Sequence, residues 1–465
     1  MQDKTLYPDT YSPTVMLQSV LMMLVIAARE GRRVCTLDIG HAYLNAERTE
    51  ADGEDIIMEI EPFLVSVLQK VAPEVASYVD TATGKLYCKL NKAVYGTLDA
   101  AKLWYRKITG VLLDMGFTAN SVDPCVFNKM VNGRQISVLL YVDDLLVTCE
   151  TVGPIMDLVE DLKSRFDNDV KFSMGEDMSY LGMHLKVDQG RIELSMKAYV
   201  DALMKEYDIV GSAASPAKPD LFYIDAGSKL LSEPERKIFH TQVAKLLYLS
   251  KRSCVAIMLA VAFLTTRVSV ATEQDKDKLL RVMKYLNVNR DMPLVIKPDS
   301  ELRVEGYVDA SFCTHESDGK GHSGLVVCVG GVPVLWQSSK QKIVTKDSTE
   351  SELVGVSDKH LSVIQCADFM AEQGYGEGKA VFFQDNTSTI SLITRGGGKY
   401  RNKYLRVRQA VVKDQVDAGV LAIVYIPTGR MLADVLSKPL QGQFFRVLVS
   451  SILTGYRLTT GVQKA

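Results

Sequence analysis

Residues 136–148, ISVLLYVDDLLVT, place two adjacent aspartates, Asp143 and Asp144, between two apolar runs that each have the composition of a buried β-strand. Burying an ionised carboxylate without a partner is costly, and two neighbouring carboxylates both stay charged only when a cation compensates them. Hard oxygen ligands of this kind suit Mg²⁺ or Mn²⁺, ions that are commonly shared with substrate phosphates. The pattern therefore predicts metal-dependent phosphoryl transfer, against the alternative of a polar hairpin tip, since Asp is common in turns.

A second acidic position lies upstream, in RRVCTLDIGHAYLN (32–45). Asp38 ends a short run of β-prone residues and is followed by Gly40 and the aromatic Tyr43. A strand that delivers one carboxylate to a turn would complete the ligand supply of a metal-dependent polymerase.

The spacing of Asp38, Gly40, Ala42 and Tyr43, with YVDD further along, resembles the palm of reverse transcriptases, and the copia-type retrotransposon branch fits best. The supporting segments follow in the family's order: TYSPTV (10–15), LNKAVYGTLDAAKLWY (90–105), FTANSVDPCVF (117–127), YLGMHL (180–185) and LSMKAYVDALM (194–204). The resemblance covers nearly the whole chain. It implies a fragment of a copia-type LTR retrotransposon Pol polyprotein, with a reverse transcriptase followed by a ribonuclease H.

Composition limits the classes of protein that fit. A chain of 465 residues with 47% hydrophobic residues should form two or three globular domains. The formal net charge of -2 gives no global electrostatic footprint for nucleic acid, so a template-binding surface must come from local clusters of Lys and Arg. The eight cysteines show no zinc-ligand spacing, which indicates reduced thiols in a cytosolic protein. The apolar stretch from Val15 to Ala28 is short for a membrane span and predicts a core helix, with no membrane partner.

The fold class predicted is α/β (α+β). Residues 1–175 would form the palm with partial fingers, 176–215 the thumb, 216–300 a connection, 301–440 a ribonuclease H-like domain and 441–465 a C-terminal tail. Helical spacing in 193–210 predicts the thumb helix, and Gly330-Gly331 between alternating runs predicts a β-hairpin. Three strands followed by alternating helices and strands then indicate a mixed sheet.

A second set of carboxylates occupies this C-terminal part: Asp309 in the first strand, Glu352 near the start of the first helix, Asp385 at the end of a later strand and Asp434 in the last short helix. Side chains from separate elements can converge on one edge of a sheet and hold two metal ions for phosphodiester hydrolysis. The arrangement resembles ribonuclease H, through GYVDASF (306–312), KDSTESELVGV (346–356), FFQDNTS (382–388) and YIPTGRMLADVLSKPL (425–440). On that resemblance the four carboxylates would be metal ligands.

The assignment of Glu352 has an alternative. Thr349 and Glu352 also fit a T-x-x-E capping box, in which the glutamate would bind backbone, and Glu350 would then be the ligand. Positions 350 and 352 are about 200° apart on a helix, so only one of them can face the site. We favour Glu352, because ELVGV continues the family's helix better.

The resemblance also implies substrates. Asp38, Asp143 and Asp144 would hold two Mg²⁺ or Mn²⁺ ions, and the ribonuclease H site two more. Tyr43 would lie under the incoming sugar and favour deoxynucleotides, with a core tyrosine as the alternative, and Tyr141 would pack near the primer terminus. Partners would be an RNA template, a DNA primer, deoxynucleoside triphosphates and the RNA–DNA hybrid, and also the integrase and capsid of the same element. The implied location is a cytoplasmic virus-like particle, with the nucleus as the alternative.

Several positions depart from the family. The chain starts late relative to it, so the upstream fingers strands that contact the triphosphate are expected to be missing. Leu98 and Asp99 replace a usual Lys-Gln pair, His41 replaces a more usual residue, and no histidine follows His360 to serve as the proton-shuttling loop residue. These departures keep a rival open, a decayed or domesticated remnant that binds nucleic acid without turnover. An intermediate case has a working ribonuclease H beside an inactive polymerase.

Overall fold

The computed structural model describes residues 10–49, 52, 55–299, 301–395 and 403–455. Up to residue 175 the helices and strands, in chain order, are α1 (Leu17–Glu30), β1 (Arg33–Ile39), β2 (Ile57–Ile60), α2 (Pro62–Val71), β3 (Leu86–Lys89), α3 (Ala100–Asp114), β4 (Thr118–Ala119), β5 (Val126–Val131), β6 (Arg134–Tyr141), β7 (Asp144–Cys149), α4 (Val152–Arg165) and β8 (Val170–Met174). Six of the strands form one antiparallel sheet in the order β4-β5-β6-β7-β1-β8, and β2 pairs with β3 in a separate ribbon. Both apolar runs around the paired aspartates form strands, as predicted, and these strands are neighbours in the sheet.

Helix α1 is apolar on all sides and is buried from Ser19 to Ala28. A helix without a polar face is stable in water only when other elements surround it. The helix ends at Glu30, and the residue after it, Gly31, adopts the left-handed conformation that favours glycine (φ 65°). The predicted core helix is confirmed, and no helix among the described residues is long and apolar enough to cross a bilayer.

Between residues 176 and 299 the structure contains β9 (Asp177–Tyr180), β10 (Met183–Asp188), β11 (Arg191–Ser195), α5 (Lys197–Glu206), α6 (Glu233–Arg252), α7 (Met258–Thr265), α8 (Glu273–Val288) and β12 (Leu294–Ile296). The strands form an antiparallel sheet in the order β12-β11-β10-β9. Strand β12 comes from the segment predicted as the connection, so this sheet draws on both the predicted thumb and the predicted connection.

The C-terminal part contains β13 (Val304–His315), β14 (Lys320–Val329), β15 (Val332–Val344), α9 (Ser348–Glu372), β16 (Ala380–Gln384), α10 (Thr387–Arg395), α11 (Lys403–Asp417), β17 (Leu421–Tyr425), α12 (Asp434–Ser437) and α13 (Gly442–Thr454). Its sheet has the order β15-β14-β13-β16-β17, with antiparallel pairs among the first three strands and parallel pairs at β13/β16 and β16/β17. The predicted mixed sheet and α/β class are confirmed. Within the predicted tail, residues 442–454 form a packed helix, and residues 456–465 lie outside the described part of the chain.

Gly330 and Gly331 link β14 to β15 with φ values of 56° and 80°. Two central residues with positive φ match the right-handed twist of the flanking strands, which is why a glycine pair is the common solution. The predicted hairpin is confirmed.

A close approach between α12 and β14 depends on Gly324, which pairs with Asp309 across the β13/β14 ladder. A Cβ atom at this position would lie 2.7 Å from the carbonyl oxygen of Ala433 and 2.8 Å from the Cβ atom of Leu436. One of these atoms belongs to the backbone of α12, so a side-chain rotation cannot make room for the added Cβ atom. Gly324 therefore sets how closely the helix that carries Asp434 lies against the central strands.

We predict that Gly324→Ala lowers the free energy of unfolding by about 1–3 kcal/mol, because the added methyl group overpacks this contact. Gly110→Ala is the matched control, since a Cβ atom at that α3 position meets nothing within 4 Å. The control should be neutral or stabilise by up to about 1 kcal/mol, because alanine is the better helix former. Urea denaturation measures both variants, and equal midpoints for the two would contradict this account.

Candidate metal centres

The first acidic centre lies where β1, β6 and β7 meet. The β1/β7 register places Asp38 directly opposite Asp144, and Asp143 precedes β7 at the hairpin tip. The backbone N–H of Ile39 donates to the carbonyl oxygen of Asp143 at 3.1 Å, which ties the tip to β1. The three predicted palm aspartates are thus brought to one edge of the sheet, and each is half-buried.

The hairpin tip is held in an unusual backbone conformation. Val142 has a φ of 57°, which is rare for a β-branched residue and carries a strain of about 1–3 kcal/mol. The indole N–H of buried Trp104 donates to the carbonyl oxygen of Val142 at 2.7 Å. Trp104 in turn packs edge-on against Phe166, with ring centroids 5.5 Å apart. Sequence reasoning missed this role, although Trp104 lies in one of the segments that carried the family resemblance.

Burial and neighbouring charges raise two pKa values in this centre. Burial, followed by the charges of Asp143 and Asp38, raises the pKa of Asp144. Burial, followed by the charge of Asp143, likewise raises the pKa of Tyr43, whose ring lies 4.6 Å from that of Tyr95. Tyr43 is therefore within electrostatic range of Asp143; its contact with the substrate sugar stays a prediction.

Two of the departures from the family have local partners. Asp99 forms a buried ion pair with Arg48. His41 lies within hydrogen-bonding distance of Asp169, with 2.8 Å between the imidazole Nδ1 and the carboxylate Oδ2. Both departures therefore have a polar partner within this chain.

The second acidic centre brings together Asp309, Glu352 and Asp385, whose ligand oxygens lie within 4.8 Å of one another. Asp309 lies on the central strand β13, Glu352 is in the second turn of α9, and Asp385 directly follows the parallel neighbour β16. Asp309 and Glu352 are buried and Asp385 is half-buried. Among the described residues this is the one such group of three metal-ligating side chains, and the palm aspartates do not form another.

Glu350 and Glu352, at the start of α9, have different hydrogen-bond partners. The carboxylate of Asp347 caps the helix by accepting from the N–H of Glu350 at 2.9 Å, and the carboxylate of Glu350 accepts from the N–H of Lys346 at 2.9 Å. Glu352 instead accepts from the Nε2 group of Gln384 at 3.1 Å and faces the acidic group. The capping box considered for Thr349 and Glu352 is therefore wrong, because the helix begins at Ser348, two residues earlier than that box requires.

Asp434, the fourth predicted ligand, does not join the group of three carboxylates. It is fully buried, and the ammonium group of Lys438 donates to the Oδ1 atom of Asp434 at 2.7 Å and to the Oδ1 atom of Asp309 at 2.7 Å. The hydroxyl of Ser437 donates to the other oxygen of Asp309. The sequence did contain the signal for this bridge, a lysine four residues after Asp434.

The electrostatics suit a divalent cation. Burial, followed by the charges of Asp309 and Asp385, raises the pKa of Glu352 well above its ordinary value. Burial acts to lower the pKa of Lys438, but Asp309 and Asp434 outweigh it and the pKa is raised. Convergent, partly desolvated carboxylates that repel one another are the donor set that Mg²⁺ and Mn²⁺ prefer, so the residues fit the implied metal.

The raised pKa of Glu352 gives a pH dependence. The folded protein holds this proton more tightly than the unfolded chain, so folding stability without metal falls as pH rises from about 4.3 through the raised pKa. We predict that Glu352→Gln in EDTA is more stable than the unmodified protein at pH 7.5, and that the difference shrinks towards pH 5. Urea unfolding at the two pH values measures it.

The matched control is Glu350→Gln, which should lose a little stability at both pH values, because only a contact at the helix start is weakened. Mn²⁺ should stabilise the control as much as the unmodified protein, and Glu352→Gln less. If Glu352→Gln has the same free energy of unfolding as the unmodified protein at both pH values, Glu352 does not hold the repelled carboxylate described here.

Comparisons with known proteins relate the chain to reverse transcriptases and transposon polyproteins. Residues 2–219 match the family model described as reverse transcriptase (RNA-dependent DNA polymerase). The chain is 26% identical over 451 residues, 96% of its length, to the retrovirus-related Pol polyprotein from transposon RE1 of Arabidopsis thaliana. It is 25% identical over 444 residues, 93% of its length, to the corresponding polyprotein from transposon TNT 1-94 of Nicotiana tabacum. The chain spans 29% and 32% of the length of these two relatives.

Among solved structures, a ribonuclease H1 isolated from compost aligns over 29% of this chain and 92% of its own, with 16% identity and a TM-score of 0.24. The protease-reverse transcriptase of prototype foamy virus aligns over 88% of this chain and 45% of its own, with 12% identity and a TM-score of 0.20. Residues 2–219 thus match a reverse transcriptase family model, and the chain is similar over most of its length to retrovirus-related Pol polyproteins from plant transposons.

Proposed function

We propose that this chain is an RNA-directed DNA polymerase with a fused ribonuclease H, which copies RNA into DNA and then cuts the RNA strand of the hybrid. The observation that carries the proposal is the presence of two separate acidic centres. One lies at the hairpin of the reverse transcriptase domain, and the other lies on the central strand of the C-terminal mixed sheet. The proposal includes the division into palm with partial fingers, thumb, connection and ribonuclease H-like domain given above.

In the palm, Asp38, Asp143 and Asp144 would hold the divalent ions. Bound there, such ions supply Lewis-acid chemistry and neutralise charge on phosphates. The chain itself contributes the positions of these side chains. The β1/β7 register places Asp38 opposite Asp144, and the hydrogen bond from Trp104 to Val142 holds the hairpin tip next to Asp143. Fixed charges that do not need to reorganise during the reaction account for much of the catalysis in such sites.

Tyr43 and Tyr141 would shape the substrate pocket. Tyr43 packs on Tyr95 beside Asp143, which offers a rigid wall against which a ribose 2′-hydroxyl would clash. Tyr141 pairs with Asp144 at the base of the hairpin tip, which suits contact with a primer terminus. The two side chains thus account for a preference for deoxynucleotides and for the placement of the primer.

In the C-terminal domain, Asp309, Glu352 and Asp385 would hold the metal, with Gln384 orienting Glu352. Cleavage needs an RNA–DNA hybrid, which such a site would recognise through its geometry and its 2′-hydroxyls. The full substrate set would be RNA template, DNA primer, deoxynucleoside triphosphates and hybrid. Integrase and capsid of the same element would be partners in a cytoplasmic virus-like particle, with the nucleus as the alternative location.

A second candidate function is ribonuclease H activity without polymerase turnover. It is favoured by one observation: the C-terminal carboxylates already form a group of three within 4.8 Å, whereas the palm aspartates do not. In this case the chain is a decayed or domesticated remnant whose polymerase no longer works.

Two single substitutions separate these possibilities. We expect Asp143→Asn to reduce primer extension on an RNA template by at least about a hundredfold while leaving cleavage of a preformed RNA–DNA hybrid intact, since several kcal/mol of charge stabilisation is lost at one site only. Asp385→Asn should show the reverse pattern. Both reactions are run on the purified full chain with Mg²⁺ or Mn²⁺ and deoxynucleotides.

Asp417→Asn is the matched control, because Asp417 is exposed, pairs with Lys413 and belongs to neither group of predicted metal ligands. It should change neither reaction. Hybrid cleavage without any primer extension would select the second candidate function. Loss of neither reaction in the two variants would exclude both acidic centres as active sites.

A further inference from the structure

Lys438 is the unusual feature of the C-terminal acidic centre. Its ammonium group lies 2.7 Å from an oxygen of Asp309 and 2.7 Å from an oxygen of Asp434. Both carboxylates are almost completely buried, with side-chain exposures of 1% and 0%, whereas Lys438 is 31% exposed. The lysine therefore reaches in from the surface and forms a cationic bridge between two buried anions.

The bridge occupies the place where a shared metal ion would lie. Mg²⁺ binds carboxylate oxygens at about 2.0–2.1 Å, so an ion between Asp309 and Asp434 would overlap the ammonium group. The hydroxyl of Ser437 donates to the second oxygen of Asp309, which further fixes this carboxylate on the Asp434 side. The group that Asp309 forms with Glu352 and Asp385 does not include Asp434.

The local backbone holds the bridge in place. Asp434 opens α12 and Lys438 follows its last residue, a four-residue separation that brings the two side chains to the same face of the helix. The helix itself is pressed against β14 at Gly324, opposite Asp309. The ammonium group is thus delivered to Asp309 by the same close contact that positions Asp434.

We infer that Lys438 takes the place of a second divalent ion in this centre. One Mg²⁺ or Mn²⁺ binds at Asp309, Glu352 and Asp385, and the ammonium group of Lys438 is the permanent second cation, between Asp309 and Asp434. This inference rests on the proposed metal-dependent ribonuclease H function and replaces the expectation of two ions at this site. Asp434 is then a positioning residue that holds the lysine.

The test is a Mn²⁺ titration of the full chain, followed by electron paramagnetic resonance. The background carries Asp38→Asn and Asp144→Asn, so that the palm does not contribute ions. With Lys438 intact we expect one bound Mn²⁺ and a mononuclear signal. With Lys438→Gln, which keeps length and polarity but removes the charge, we expect a second Mn²⁺ and the signal of a spin-coupled pair, because the two ions would lie about 3.5–4 Å apart.

Lys413→Gln is the matched control, since Lys413, with an exposure similar to that of Lys438, pairs with the exposed Asp417 at the same spacing in the same domain. It should bind one Mn²⁺. Two ions with a coupled signal while Lys438 is intact would overturn the inference but leave the proposed function standing. One ion in both proteins would overturn the role of the lysine in excluding the second.

A failure of the proposed function gives a different result. In that case the background protein binds no Mn²⁺ that is lost on Asp385→Asn, whatever residue stands at 438. If Lys438→Gln does not fold, the stoichiometry of the protein with Lys438 intact still decides, because two ions refute the inference and one supports it.

Discussion

Mutual repulsion between carboxylates held away from water is the constraint on which both candidate sites depend. In the C-terminal domain it is severe, since Asp309 and Glu352 are buried side by side and Asp385 lies within reach of both. The chain relieves part of it with its own groups: Lys438 and Ser437 at Asp309, and Gln384 at Glu352. In the palm the aspartates are only half-buried, and water can share the task of solvating them.

The sheets around these carboxylates are joined by a common core. Helix α1 is enclosed on all sides and contacts β7, β11, β15 and α9. The indole of Trp336 on β15 donates to the carbonyl oxygen of Ser250 on α6 at 2.7 Å, which adds a polar tie between the C-terminal sheet and the middle of the chain. Helix α1 therefore packs against strands or helices that carry residues of both acidic centres, although neither centre contains a residue of that helix.

The sequence was sufficient for those features that depend on local pattern. Alternation and apolar runs predicted the strands around Asp143 and Asp144, the glycine pair predicted the β14/β15 hairpin, and the apolar stretch predicted the core helix. Family resemblance supplied the candidate carboxylates, and the structure brings three of the C-terminal four together. The strands, the hairpin and the core helix could be predicted because residues close together in the sequence determine them.

Features that depend on contacts between distant residues could not be predicted in this way. The role of Trp104 requires knowing that α3 reaches the tip at Val142, and the bridge made by Lys438 requires knowing that α12 lies on β13 and β14. The choice between Glu350 and Glu352 turned on a single residue at the helix start, where Asp347 caps α9. Spacing alone left that choice open, because both glutamates lie within the first two turns.

We propose that these carboxylates lie close together because they hold divalent cations. The most direct test is a crystal structure of the protein soaked in Mn²⁺, with anomalous scattering used to locate the ions. We predict one peak among Asp309, Glu352 and Asp385, with the side chain of Lys438 still between Asp309 and Asp434, and further density at Asp38, Asp143 and Asp144. Well-ordered carboxylates with no anomalous peak at either centre would contradict the account.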